Sequence, residues 1–291
     1  MSVSLLSQSL AQGLLEGAVY GLLSLSLALI LSVTKLLNFA HGAILMSAMY
    51  VVLFLSRHGV PIYLTALIVV PLYLGVGMVA YYGLFRRIED SRFLMQAQLT
   101  LGLLLLIEGG AIMVETVDVQ RPDNAVLAGQ SVAIGQVSIS VPQLVAALVA
   151  IVVSIGVHLM LQRTNLGRQL RALSQDRLGA TLVGINTARM YALTWGIGLA
   201  VLGIAASTIM MSSPVQPYVG HHYTIVMLLA VVVGGIGDLA GTFVGAMIIG
   251  VSYAFGQTLL GGDLALVPAY LIVFGMILMR PKGLLNRGAE L

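Results

Sequence analysis

The chain has 291 residues, of which 59% are hydrophobic and 9% charged, with a mean hydropathy of +1.01. Soluble domains carry about 25% charged residues, so this composition excludes a water-soluble globule and points to an integral membrane protein. Cysteine is absent, which removes disulfides and thiolate metal sites, and the formal charge of +3 sits in short loops between apolar runs, a distribution that does not suit nucleic acid.

A membrane-spanning helix needs about 20 apolar residues. Such runs fall at 10–33, 38–56, 60–85, 93–115, 141–162, 190–211, 223–236, 239–260 and 264–280. They predict one all-α transmembrane domain over 1–291, a bundle of about 8–10 helices. Long runs without period-2 alternation exclude barrel strands. The opening residues lack the basic region of a cleavable signal, so the first run is expected to be retained. Arg86 to Arg92 form a sharp polar turn between the third and fourth runs. Residues 116–140, with Pro122, Asn124, Gly129 and Gly135, form a long loop in which SVAIGQVSIS predicts a small hairpin. That loop reads equally as a docking surface, a lid or a structured connector. The seventh run is short and meets Gly234, Gly235 and Gly237, which predicts a broken or re-entrant helix buried in protein.

Charge sets the orientation. With the amino terminus outside and nine alternating crossings, Lys35, Arg86, Arg87, Arg92, Arg163, Arg168, Arg171, Arg177, Arg189, Arg280, Lys282 and Arg287 share the inner face. Only Arg57 and Arg121 of the 14 basic residues fall outside. This bias predicts a cytoplasmic carboxyl terminus. Residues 116–140 then lie outside the cell, and residues 163–189 face the cytoplasm.

The inner segment Thr164 to Asn186 is too polar to span, yet it is patterned. Leu166, Leu170 and Leu173 are spaced i, i+4, i+7, and Leu178, Leu182 and Ile185 repeat the spacing. The second stripe is rotated by about 120° from the first, which predicts two short helices with a bend near Gln175. Elsewhere glycines recur four apart, at Gly13, Gly17 and Gly21 and at Gly237, Gly241 and Gly245, a pattern for close helix packing within the chain or against a partner. Asn38 and His41 begin an apolar helix, either as a cap and an interfacial histidine or as the lining of the inner end of a polar pathway. Glu16 and Glu108 lie inside apolar runs, where a carboxylate faces a cavity or a partner, or acts as a protonated hydrogen bonder. The Gly-rich stretch before Asp238 reads as a helix break, with Asp238 capping the next helix, because it lacks the lysine of a phosphate loop. His221-His222 sits in an expected outer turn without nearby cysteine or carboxylate in sequence, a poor metal site. No hydrolase, metalloprotease or nucleotide signature is present, so an enzyme is not expected.

Four motifs carry a resemblance: LLNFAHGAIL (Leu36–Leu45), LGRQLRALSQDRLGATLVGIN (Leu166–Asn186), VVVGGIGDLAGTFVGAMIIG (Val231–Gly250) and RPKGL (Arg280–Leu284). In this order the chain resembles the permease subunits of branched-chain amino-acid ABC importers, and the Asn-Phe-Ala-His-Gly form is more similar to the first of their two permease types. The resemblance implies an importer bundle with broken helices. It also implies an extracytoplasmic substrate-binding protein, a second permease that is homologous or identical, and two cytoplasmic ATPases in a bacterial inner membrane. No cofactor is expected on this chain; ATP and Mg belong to the ATPases. Carried over by motif, Gly167, Arg168, Arg171, Ala172, Asp176, Ala180 and Gly184 are expected in the ATPase-coupling segment, whose alternative is a helix resting on anionic lipid. The pathway candidates are Asn38, Phe39, His41, Gly42, Gly234, Gly235 and Gly237. Glu108 joins them although it matches no family motif. The substrate expected is a branched-chain amino acid or a similar small polar solute. The rival reading is an ion-coupled secondary transporter using Glu16 or Glu108.

Overall fold

The structure, a computed structural model, describes residues 3–115, 117–122, 130–135, 137–280 and 283–284. Asp123, Asn124, Gly129, Lys282 and Arg287 lie outside the described residues. The helices are α1 (Val3–Thr34), α2 (His41–Arg57), α3 (Thr65–Gly83), α4 (Phe93–Val114), α5 (Val141–Arg163), α6 (Asn165–Gln175), α7 (Arg177–Leu182), α8 (Thr187–Ile209), α9 (Val219–Gly234), α10 (Leu239–Leu260) and α11 (Val267–Met279). Strands β1 (Ser131–Ile134) and β2 (Val137–Ser140) pair antiparallel, Ser131 opposite Ser140, as the alternation predicts. Among the described residues six helical segments are long and apolar enough to cross a bilayer, and α2, α9 and α11 are shorter apolar helices. Together they account for the nine apolar runs, so the chain is a multi-pass membrane protein.

Small residues decide which helices touch. A Cβ on Gly13 would come within 2.6 Å of Val251 Cα, and one on Gly17 within 2.9 Å of Met247 Cα, so α1 and α10 lie backbone to backbone. Gly245 does the same for α10 against Ala230 of α9. Gly13, Gly17, Gly21, Gly241 and Gly245 are thus used inside the chain, where lipid supplies little hydrophobic drive and close van der Waals approach replaces it, whereas Gly237 meets nothing within 4 Å and serves the turn. Gly77 of α3 abuts Trp195 and Gly196 of α8, and Phe85 stacks on Trp195 with ring centroids 3.8 Å apart. Trp195, Leu22, Leu23 and Leu45 are among the fully buried side chains at the centre. By contrast α4 exposes Leu105, Leu106 and Met113, and α11 exposes Leu271, Leu278 and Met279, the pattern of a lipid-facing periphery.

Among the described residues three apolar helices, α2, α9 and α11, are shorter than the hydrocarbon core. At 1.5 Å per residue, α2 and α9 are about 26 and 24 Å long against a hydrocarbon core of about 30 Å. Before α2 the chain leaves α1 at Lys35, whose φ of 56° is the left-handed turn usually given to glycine. It then re-enters the protein through Leu36, Asn38 and Ala40, all buried. Non-helical backbone at this depth is tolerated because protein surrounds it. The break after α9 falls where the glycines predict it. Gly235 and Gly237 have φ of 102° and 95°, and Asp238 accepts from Gly241 N at 3.0 Å to cap α10. The carboxyl-terminal segment returns to this turn, with Leu284 N donating to Val233 O at 3.0 Å.

Candidate translocation core and coupling surface

The start of α2 is the most constrained polar point in the bundle. Ser26 of α1 donates to Gly198 O, the central residue of α8, at 2.7 Å. Its single proton is thereby committed, so at 2.9 Å its oxygen accepts from His41 Nε2. His41 therefore carries its proton on Nε2, which leaves Nδ1 an acceptor, buried and without a partner, as is Asn38 Nδ2. Asn38 Oδ1 accepts from Ala40 N at 3.0 Å, shaping the turn into α2. His41 and Asn38 are 0% and 1% exposed, well inside the bundle and away from its surface. Phe39 is partly buried beside them.

The first turns of α9 meet this point. Thr224 donates to Gly220 O at 2.9 Å and accepts from Gly42 N at 3.2 Å, so one otherwise orphaned amide of α2 is satisfied by α9. A Cβ on Gly42 would overlap Gly220 O and Thr224 Oγ1. Gly42→Ala is therefore expected to force α2 from α9 and cost about 1–3 kcal/mol; an undiminished melting temperature in detergent would contradict this contact.

Glu108 joins the same region. Its Oε1 lies 2.9 Å from His221 Nε2 in the first turn of α9, an ion-pair distance without the alignment of a hydrogen bond. A carboxylate there also suits the positive end of a helix. His221-His222 thus belongs to a helix, where the sequence suggested an outer turn, and a carboxylate absent from its sequence neighbourhood reaches it in space. Among the described residues no group of three or more His, Cys, Asp or Glu side chains is placed to hold a metal. His222 Nε2 is 3.4 Å from Tyr20 Oη. Asn38, Phe39, His41, Gly42 and Glu108 are therefore gathered around the facing ends of α2 and α9. Gly234, Gly235 and Gly237 are not; they form the turn at the opposite end of α9, about 21 Å away along its axis.

The segment on the basic face folds as two helices broken at Asp176, whose φ of −146° ends α6. Thr164, Asp176 and Asn186 each cap the helix that follows by accepting from Gly167 N, Gly179 N and Arg189 N. Leu170 and Leu173 are buried, and Leu166 packs against the core. The second stripe behaves differently: Ile185 packs inward, but Leu178 and Leu182 are 71% and 80% exposed and adjacent Val183 is 79% exposed. Ala180 is buried, Gly184 has a φ of 87°, and a Cβ on Gly167 would overlap Leu161 O. Arg171 donates to Leu161 O and Gln162 O, capping the end of α5, so it and Asp176 both have partners within the chain. Arg168 donates to Asn165 Oδ1, and Ala172 is half-buried.

Sequence reasoning gave no sign of the strut that holds α7. Arg177 pairs with Glu89 at 2.8 Å and Asp90 at 2.5 Å on the α3–α4 turn, and its guanidinium lies 5.6 Å from the Tyr191 ring centroid. Burial disfavours its charge, yet the Asp90 hydrogen bond and the neighbouring acidic groups raise its pKa above the ordinary value. Tyr81 donates to Glu89 Oε2 at 2.8 Å and meets Tyr191 edge to face. One side chain thus ties the basic-face segment to both α3 and α8.

Residues 9–280 match the family described as branched-chain amino acid transport system / permease component. The chain belongs to that family. As a permease it is 29% identical to the high-affinity branched-chain amino acid transport system permease protein BraD of Pseudomonas aeruginosa, over 96% of this chain and 95% of that protein. It is 26% identical to LivH of Escherichia coli, a high-affinity branched-chain amino acid transport system permease protein, with the same coverage. It is 28% identical to a probable branched-chain amino acid transport permease protein LivH of Methanocaldococcus jannaschii, over 86% of this permease and 82% of that protein. No solved structure matches it. The chain is the permease subunit of an ABC importer.

Proposed function

We propose that this permease moves branched-chain amino acids, or small polar solutes like them, across a bacterial cytoplasmic membrane by alternating access. Two cytoplasmic ATPases drive it, an extracytoplasmic binding protein supplies the solute, and a second permease completes the pathway. Its amino terminus faces outward and its carboxyl terminus faces the cytoplasm. The observation that carries this reading is the exposed apolar ridge of Leu178, Leu182 and Val183, on a segment tied through Arg177 to the polar turn at Glu89 and Asp90. Exposed apolar side chains grouped on a capped element mark a contact with a partner or with the membrane, and we assign this one to the ATPase. The residues gathered at the facing ends of α2 and α9 form the element whose two arrangements the ATPases bias.

The test is reconstitution of the chain alone and with its second permease, its ATPases and its binding protein. Uptake is expected only in the second case, with ATP, and unchanged when the proton gradient is collapsed. Accumulation by the chain alone, driven by a proton or sodium gradient, would replace this reading with ion-coupled transport through Glu16 or Glu108.

A further inference from the structure

A cavity of about 80 Å³ opens between α1, the start of α5 and the α8–α9 connection, lined by Glu16, Tyr20, Gln143, Ser212, Ser213 and Tyr223. Gln143 lies in the first turn of α5, and Ser212 and Ser213 follow the end of α8. The cavity is therefore at the end of the bundle opposite the basic face. Glu16 Oε2 is buried there without a hydrogen-bond partner. Tyr20 packs edge-on against Tyr223, Tyr253 and His222, with ring centroids 6.2–6.4 Å apart, so the wall beside the carboxylate is aromatic.

Leu15, Val19, Ala146 and Ile209 complete the lining, and its polar and aromatic members select one chemistry. A carboxylate oxygen in a partly desolvated wall needs a cation or a strong donor. Tyrosine faces attract ammonium groups. Serine and glutamine oxygens accept the remaining N–H bonds of an amine. A carboxylate or phosphate on the solute would be repelled by Glu16. The cavity has room for an ammonium head group beside Glu16 and is open at its mouth, through which the rest of the solute would extend.

We propose that this cavity is a docking site for the ammonium end of the solute as it enters the permease, with Glu16 as counter-ion and Tyr20 and Tyr223 as flanking rings. The inference rests on the importer reading and adds a site within it.

The test uses the whole complex, permeases and ATPases, in lipid nanodiscs without the binding protein. Binding of leucine is followed by saturation-transfer NMR against empty nanodiscs. Leucine is expected to give a signal that isoamylamine, which keeps the amine, displaces and isocaproate, which lacks it, does not. Glu16→Gln is expected to weaken leucine binding at least about tenfold, whereas Glu16→Asp retains it. Equal competition by isocaproate, or wild-type affinity in Glu16→Gln, overturns the proposal; the competition by the two analogues needs no variant, so a poorly assembled Glu16→Gln leaves that arm decisive. Absence of leucine binding in a complex that takes up leucine on ATP, once the binding protein is restored, overturns the site and leaves the importer reading standing. A complete lack of ATP-driven uptake overturns both.

Discussion

Leu182→Asp combined with Val183→Asp is expected to strip the ATPase from the purified complex and to lower uptake by about tenfold or more. Both residues are about four-fifths exposed on the ridge following the Asp176 break. In the isolated permease they bury little, so the melting temperature should hold within the range of ordinary surface substitutions, about 0.5 kcal/mol. In a complex each apolar side chain loses about 1.5–3 kcal/mol of burial when it stays in water, and an aspartate adds the cost of desolvating a charge. Although buried area converts incompletely into affinity, the loss of two such contacts exceeds the 1.4 kcal/mol that corresponds to a tenfold change. Co-purification of the ATPase at wild-type stoichiometry would remove this ridge from the interface.

Arg177→Glu is expected to leave ATP hydrolysis running while uptake drops roughly tenfold. As a surface ion pair the Arg177–Glu89–Asp90 group is worth only about 0–1 kcal/mol of stability, since 43% of the arginine side chain is exposed. Its importance lies in what it joins: α7, the α3–α4 turn, and through Tyr81 and Tyr191 the packed pair α3 and α8. A push on the ridge is transmitted to the bundle only if α7 cannot slide over that turn. Adding Glu89→Arg to the first substitution restores an opposite-charge pair and should recover part of the uptake. A double variant no better than the single one would show that Arg177 serves stability or charge alone.

Much of this architecture could be read in the residues. Each apolar run became a helix, the Gly-rich stretch before Asp238 became the break and cap, and SVAIGQVSIS became a hairpin. The break near Gln175 followed from the phase shift between two leucine stripes, because a rigid helix cannot point both at one surface. That argument could not say which stripe faces the core. Leu170 and Leu178 have the same chemistry, and spacing reports a shared face without naming what covers it. Contacts between distant segments were hidden for a related reason. Glu108 meets His221, and Arg177 meets Glu89, only because helices far apart in the chain are neighbours in space. The depth of His41 was also hidden: an Asn-x-x-His start looks the same at a membrane surface as in the interior, where the structure places it.

The backbone-to-backbone seam between α1 and α10 bears on how the molecule is made. The ribosome releases the first helix at the outset and its main partner only after eight others, so the pairing is among the most non-local in the chain and slow to form. Until then the notch at Gly13 and Gly17 stands open in the bilayer, able to accept any helix with a matching row of small residues.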